Sequence, residues 1–475
     1  MWSSTDVAEA MLDDVGRDRL IWWREQLFEY DRASNRFRPK NETDFDDGVR
    51  RFLAKLARET GAGKSVTSLL MHREVCTAIR SFANIPSEYD PPCLIRNAPA
   101  GAVIGQRTTH YLPVRNGILD VERHAAGYVD CLLGPTPDVF TTTGVDYPYD
   151  PNAKCPRFLN FIEQFTGGDR EVADVLQEFV GHCLIPEMRY QKFLVIPGAG
   201  GEGKGVFTDI VRNVVGLENC SAMSLKQIST AFGPSGMVGK LVNIADEMNE
   251  TDRADEATIK TITGGQPVMI NPKFKTAYQL KLFVRFIFTT NILPHLNDRS
   301  NGIWRRLLLL PVHREWVEEE QDRKLLDKLL EELPGILNWA LEGLARLWRQ
   351  DGFTKCERSR LAVEEFRNEC NPPREFVKEC LMRTPADMES VAPTFKEVCD
   401  AYKSWALRLA KWSVYSDVSI AKEIRQQFPF VKIRHRKPDA HGHRDREYFG
   451  IALVSRVEER RKIEKLGLRV VLDES

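Results

Sequence analysis

Apolar residues recur along the chain at two periods, and the places where the period changes divide it. Between residues 46 and 57, Val49, Phe52, Leu53 and Leu56 fall on one face of a helix. The apolar runs of residues 111–121, with Asn116-Gly117 between them, predict a strand, a turn and a second strand. Pro135, Pro137, Pro148 and Pro151 then punctuate an irregular connection, which places the first domain boundary. The helical period returns in two blocks, Phe158, Phe161, Ile162, Phe165 and then Val172, Val175, Leu176, Phe179, Val180, Cys183, with Gly167-Gly168 as the break.

Three short apolar runs follow, at 192–197, 241–245 and 282–289, and strands separated by longer segments predict a mixed α/β sheet. After Trp348 the chain becomes helical and charged. Thr394-Phe395-Lys396-Glu397 is a capping box heading a helix with Val398, Tyr402, Trp405 and Leu409. A second helix over 419–428 and strand-like runs at 431–436 and 447–454, around a turn holding Gly442, complete a helix–helix–hairpin order, that of a winged helix. The expectation is a multidomain α/β chain. It comprises an N-terminal α+β and helical domain (1–155), a helical collar (156–188), a P-loop core (189–348) and a C-terminal winged-helix-like domain (349–475).

A length of 475 residues allows about three domains. Charged residues at 28% and hydrophobic residues at 42% exclude global disorder. With 67 Lys and Arg against 68 Asp and Glu, the chain cannot hold nucleic acid by bulk charge, so any basic surface must be local. The ten cysteines form no C-x2-C pair and read as buried thiols of a reducing cytoplasm. Residues 1–6 lack the basic start and apolar run of a signal peptide, and no apolar stretch approaches a membrane span, so a cytoplasmic location is expected.

Gly198-Ala199-Gly200-Gly201-Glu202-Gly203-Lys204-Gly205 fits G-x4-G-K, with Gly205 where Ser or Thr is usual. The loop follows a buried strand and precedes a helix with Val206, Phe207, Ile210, Val211 and Val214 on its apolar positions. That context suits a phosphate cradle: glycines let backbone N–H groups close around the anion, the helix N-terminus adds positive potential, and Lys204 reaches the terminal phosphates. Gly61-Ala62-Gly63-Lys64-Ser65 looks similar, but Arg58 stands where the first glycine is required and no strand precedes it, so it reads as a helix-terminating loop.

Leu241 to Glu247 is an apolar strand ending in Asp246 and Glu247, which can deliver one carboxylate to Mg²⁺ and another to an attacking water. The run ending in Thr289-Thr290-Asn291 puts a polar side chain at a strand tip, where Asn291 either senses a phosphate or simply begins the turn before Pro294. Arg305 and Arg306, at the brink of the apolar run 307–310, are either an arginine finger or a structural ion pair.

The set GAGGEGKG, LVNIADE, IKTITGGQ, FIFTTNILP and GIWRR, in this order and spacing, resembles the phage and plasmid primase–helicase family related to the poxvirus primase–helicase, within superfamily three helicases. NGILDVE and the helical segment ahead of the loop resemble what that family carries before its motor, so the likeness spans roughly residues 80–345. The resemblance implies an AAA+-like ATPase that assembles as a hexameric ring and moves 3′ to 5′ on single-stranded and forked DNA, with a separate primase. Carried over, ATP is held by Gly198, Ala199, Gly200, Gly201, Glu202, Gly203, Lys204, Gly205 and Val206, and Mg²⁺ by Asp246. Glu247 activates water, Asn291 is the sensor, and Arg305 or Arg306, with Arg306 favoured, reaches the neighbouring subunit's nucleotide. Lys273 and Lys275, by the channel hairpin, contact the DNA backbone.

The chain departs from the family at three points: Gly205 lacks the metal-coordinating hydroxyl, Gln266 stands where an acid is usual, and no archaeal-type primase module, with its metal-binding acids, is recognisable ahead of the expected motor. Independently, Lys432, Arg434 and Arg436 on the expected wing strand present charge to phosphates, or else guard a hairpin edge. His441 and His443 in the same turn have no Cys partner nearby and read as a loop tip. Two functions therefore stand: an ATP-driven replicative DNA helicase of a phage, plasmid or integrated element, and an origin-binding protein with a vestigial ATPase. Only Gly205 favours the second.

Overall fold

The computed structural model describes residues 2–61, 66–98, 102–246, 256–273, 276–294, 296, 301–312, 322–384, 392–409, 417–435, 446–455 and 457–458. They form two units, residues 1–360 and 361–475.

The first unit opens with the helix Ser4–Val15, a three-stranded antiparallel sheet, and the helices Glu42–Thr60 and Leu69–Phe82. The helix expected over 46–57 starts earlier because the Asn41 side chain accepts the Thr43 N–H and caps it. Its buried stripe is Phe45, Val49, Leu53 and Leu56, with Phe52 half-buried. Strands Tyr111–Val114 and Gly117–Asp120 form the expected hairpin, but Val114 pairs with Gly117, so the turn is Arg115-Asn116, one residue early. Gly117 belongs to the strand because any Cβ there would collide with the Leu133 carbonyl of the next strand.

Helices Pro156–Thr166 and Arg170–Cys183 meet at Gly167-Gly168, as their spacing predicts, and bury the apolar faces read from the sequence. The second of them packs on the helix Leu333–Arg349. At that crossing a Cβ on Gly181 would meet the Ala340 carbonyl and Leu344, and one on Gly343 would meet the backbone of Gln177. These glycines set how closely the helices approach. Glu178, fully buried in the same interface, accepts from Arg346 at 2.7 Å and from the Thr354 hydroxyl at 2.6 Å, as a buried carboxylate requires.

Those helices share their core with a five-stranded sheet whose pairings are all parallel. Its spatial order is Cys220–Ser221, Val242–Asp246, Arg285–Thr290, Phe193–Pro197, Leu307–Leu309. The three longer strands are almost wholly buried, as a sheet covered on both faces must be. The chain leaves Phe193–Pro197 toward one edge and leaves Arg285–Thr290 toward the other. The carboxyl ends of these adjacent strands therefore form a topological switch point, where such sheets bind ligands. One contiguous core runs from Leu112 through the collar and sheet to Cys356.

Arg285 breaks the apolar run predicted at 282–289 yet is fully buried. Its guanidinium donates to the carbonyls of His182 at 2.7 Å, Phe283 at 2.8 Å and Ile185, so it closes the buried carboxyl end of the Arg170–Cys183 helix, where carbonyls lack helical partners. All ten cysteines are free. Burial pushes the thiols of Cys183 up to about 11 and of Cys93 and Cys155 up to about 12, which makes them poor nucleophiles.

In the second unit the Thr394 capping box heads the helix Phe395–Arg408, followed by Asp417–Gln427 and the hairpin Lys432–His435 with Arg446–Phe449. Leu409, expected inside the first helix, is its exposed cap. Gly450 divides the second strand-like run, and Ile451–Leu453 leaves the hairpin to pair with Leu381–Arg383. Phe376, Tyr402, Trp405, Ile424, Tyr448 and Ile451 make this unit's own core.

Candidate functional site

The glycine-rich loop emerges at the switch point. Gly198 N–H donates to the Thr290 carbonyl at 3.0 Å, tying the loop's start to the neighbouring strand. Gly201 and Gly203 take φ of 72° and 83°, a left-handed conformation that side chains disfavour, and Gly203 caps the helix Lys204–Val215 with no side-chain acceptor. Phe207, one turn in, is buried and stacks on Phe165 of the collar at 5.2 Å, which fixes the helix under the loop.

The loop folds around Glu202, a side chain only 3% exposed. Its carboxylate accepts the Ala199 N–H at 2.6 Å and the Gly200 N–H at 3.0 Å and pairs with the Lys204 ammonium, which also donates to the Gly198 carbonyl at 2.8 Å. Burial pushes the Glu202 carboxyl up, but the hydrogen bonds from Lys204, Gly200 and Ala199 outweigh it and hold the group below the usual carboxylate range. The donor set fits an anion, since it already holds one. Gly205 sits in open space, with no heavy atom within 4 Å of where a Cβ would stand.

Asp246 ends its strand opposite Thr289 and accepts that hydroxyl at 2.8 Å. Its other oxygen lies 3.4 Å from Arg212 of the loop's own helix, which is also bound to Asp209 at 2.7 Å. Asp246 is thus oriented, half-exposed, and at the same level of the sheet as the loop. Its fit to a divalent cation rests on an exposed carboxylate at a strand tip. Asn291, just past the Thr290 strand end, is exposed, and Glu247 lies outside the described residues.

Arg305 and Arg306 fall in a short helical turn, not in the strand. Arg306 is buried, its guanidinium donating to the Gly302 carbonyl at 2.7 Å and to Gln191 at 3.1 Å within the same chain. Arg305 is exposed, with its carbonyl accepting from Lys192 at 2.6 Å. Strands Pro267–Ile270 and Tyr278–Lys281 form a hairpin, and Lys273 is exposed in its connecting loop, while Lys275 lies outside the described residues. In the second unit Lys432 and Arg434 are exposed on the hairpin, Arg434 lying over Phe449 at 4.4 Å. Arg436, His441 and His443 lie outside the described residues, as do positions 62–65.

Sequence reasoning missed three contributors: Thr289 and Arg212, which orient Asp246, and the inward turn of Glu202. Thr289 was readable as a hydroxyl at a strand tip beside the acid, whereas the others depend on the fold. A separate cluster, Asp46, His72 and Cys76, brings its ligand atoms within 4.8 Å of one another. There the His72 Nε2 already lies 3.3 Å from the Asp46 carbonyl, and burial pushes the Cys76 thiol up to about 11, so the group reads as packed and hydrogen-bonded.

With this geometry in hand, residues 196–306, which span the loop, the acid strand and the arginines, match a family of unknown function (DUF5906). Over 319 residues the chain is 20% identical to "Putative helicase L207/L206" of Acanthamoeba polyphaga mimivirus, covering 61% of this chain and 32% of that protein. Over 217 residues it is 23% identical to "Putative helicase 184R" of Invertebrate iridescent virus 6, covering 40% and 21%. The chain therefore spans a third or less of these relatives. The apo A form of the NrS-1 C terminal region has a similar fold, with a TM-score of 0.52 at 13% identity over 94% of this chain and 99% of that one. Among the described residues no helix is long and apolar enough to cross a membrane.

Proposed function

We propose that the chain is an ATP-driven DNA helicase of replication, an AAA+-like motor of superfamily three. The observation that carries this reading is one level of the sheet. At the switch point, the glycine loop with Lys204, the oriented Asp246 and the polar tip Thr290-Asn291 end three neighbouring parallel strands. NTP hydrolysis needs that set: a cradle for the phosphates, a carboxylate for Mg²⁺ and a polar group facing the reacting phosphate. The helicase names of the two viral relatives support the substrate class.

In this reading the loop amides and Lys204 bind the phosphates, and Asp246, oriented by Thr289, holds Mg²⁺, which would draw charge from the departing phosphate. Glu247 polarises water and Asn291 senses the phosphate. Because Arg306 is engaged within its own chain, Arg305 is the arginine that reaches a neighbour's nucleotide, in a hexameric ring. Lys273 and Lys275 line the path of single-stranded DNA, and Lys432, Arg434 and Arg436 grip duplex at the fork. Polarity of 3′ to 5′, a separate primase, a cytoplasmic setting and a phage, plasmid or integrated-element origin complete the reading. The alternative, an origin-binding protein with an idle ATPase, is favoured by Gly205 alone. Steady-state ATP hydrolysis with and without single-stranded DNA separates them: stimulation by DNA is expected of the motor, and tight duplex binding without hydrolysis would establish the alternative.

A further inference from the structure

We infer that Glu202 is a built-in occupant of the phosphate seat, which a nucleoside triphosphate must displace before it can bind. The inference rests on the nucleotide-binding reading above and adds to it a regulatory element within the loop. Three donors converge on this carboxylate: the N–H groups of Ala199 and Gly200, and the Lys204 ammonium. A phosphate in the cradle would be recognised by backbone amides of this kind and by the same lysine. Both cannot be satisfied at once, since each N–H has a single proton to donate.

Two further features fit an occupant. A Cβ on Gly198 would collide with both Glu202 carboxylate oxygens, so the first glycine of the loop opens the space that the carboxylate fills. The chain there has no positive φ that would itself demand glycine. Glu202 is also 3% exposed although it lies in a surface loop, and a charge is buried to that degree only where its partners replace water. The loop is thereby held closed by its own anion rather than left as an open nest of amides. Nucleotide binding becomes an exchange of one anion for another, and its affinity is set by the difference.

The test compares wild type, Glu202→Gln and Lys204→Ala, each as the full chain, by titration with a fluorescent non-hydrolysable ATP analogue and Mg²⁺. A neutral amide of the same shape presents one acceptor and an N–H₂ group to three donors, so it is a poor competitor. The analogue should bind Glu202→Gln roughly tenfold more tightly than wild type, the weight of one charged hydrogen bond. Inorganic tripolyphosphate should gain by the same factor and adenosine by none, because the competition is for the phosphate seat. Should the amide variant fail to fold, Glu202→Ala, which vacates the seat, carries the same expectation. Unchanged or weaker binding of the analogue by folded Glu202 variants, with wild-type binding that Lys204→Ala abolishes, would overturn the occupant and leave the nucleotide site standing. Equal gains for adenosine and tripolyphosphate would also overturn it. Absence of analogue binding in every protein would overturn both.

Discussion

If the proposed nucleotide site takes Mg²⁺, replacing Gly205 by serine supplies the hydroxyl that the metal would meet, and the structure has room for it. No heavy atom lies within 4 Å of the new Cβ, and Gly205 is the second residue of the Lys204–Val215 helix, with no positive φ to strain. The exchange alters two quantities. Serine forms helix better than glycine by about 0.5 kcal/mol, which raises the unfolding midpoint by about 1 °C. On the proposed reading the hydroxyl would join Asp246 as a second protein ligand of Mg²⁺. If it replaces a water with a gain of about 1.4 kcal/mol, the Mg²⁺ concentration giving half-maximal hydrolysis falls about tenfold. Hydrolysis at saturating ATP, titrated with Mg²⁺, reads this directly, and calorimetry reads the fold. A stable Gly205→Ser protein whose Mg²⁺ midpoint stays put would show that Gly205 does not face the metal.

Other substitutions probe the remaining parts. Arg305→Ala should bind the ATP analogue normally but not hydrolyse ATP, and mixing it with Lys204→Ala protein should restore activity through interfaces that join an intact arginine to an intact lysine. No recovery in proven mixed oligomers would remove Arg305 from that role. Gly343→Ala forces a Cβ into the Gln177 backbone and should cost about 1–3 kcal/mol by denaturant unfolding, where an unchanged midpoint would contradict the close helix crossing. Glu202 also bears on acid stability. Its folded pKa lies below the ordinary 4.5, so its contribution is complete above 4.5 and is lost as pH falls through the lowered value. The melting temperature of nucleotide-free wild type should exceed that of Glu202→Gln at pH 7, and the gap should narrow as pH falls below 4.5 and through the lowered folded value. A gap constant with pH would assign the difference to something other than this charge.

The parts of the site legible in the sequence were those written as continuous runs. The strand before the loop, the paired collar helices and the Thr394 capping box each rest on local periodicity or local hydrogen bonds, which a linear reading captures. What escaped it depends on contacts between distant segments. Arg285 is one charged residue within the apolar run 282–289, yet it closes a helix that ends a hundred residues earlier. The hairpin turn moved by one residue because Leu133, from a third strand, crowds Gly117. Whether Arg305 and Arg306 are a finger or a structural pair stays open in the sequence, because they sit in a helical turn whose partners for Arg306, Gln191 and Gly302, come from the fold. Glu202 was read as one residue of the cradle, since nothing in GAGGEGKG announces that its acid turns inward to meet the loop's own donors.

The most direct test of the proposed motor is strand separation on a forked duplex with a single-stranded 3′ tail, followed with ATP, without ATP, and with Lys204→Ala in place of wild type. The account predicts unwinding by wild type only when ATP is present, and none by Lys204→Ala at an unchanged far-UV spectrum. Unwinding by Lys204→Ala at the wild-type rate, or strand separation that needs no ATP, would contradict it.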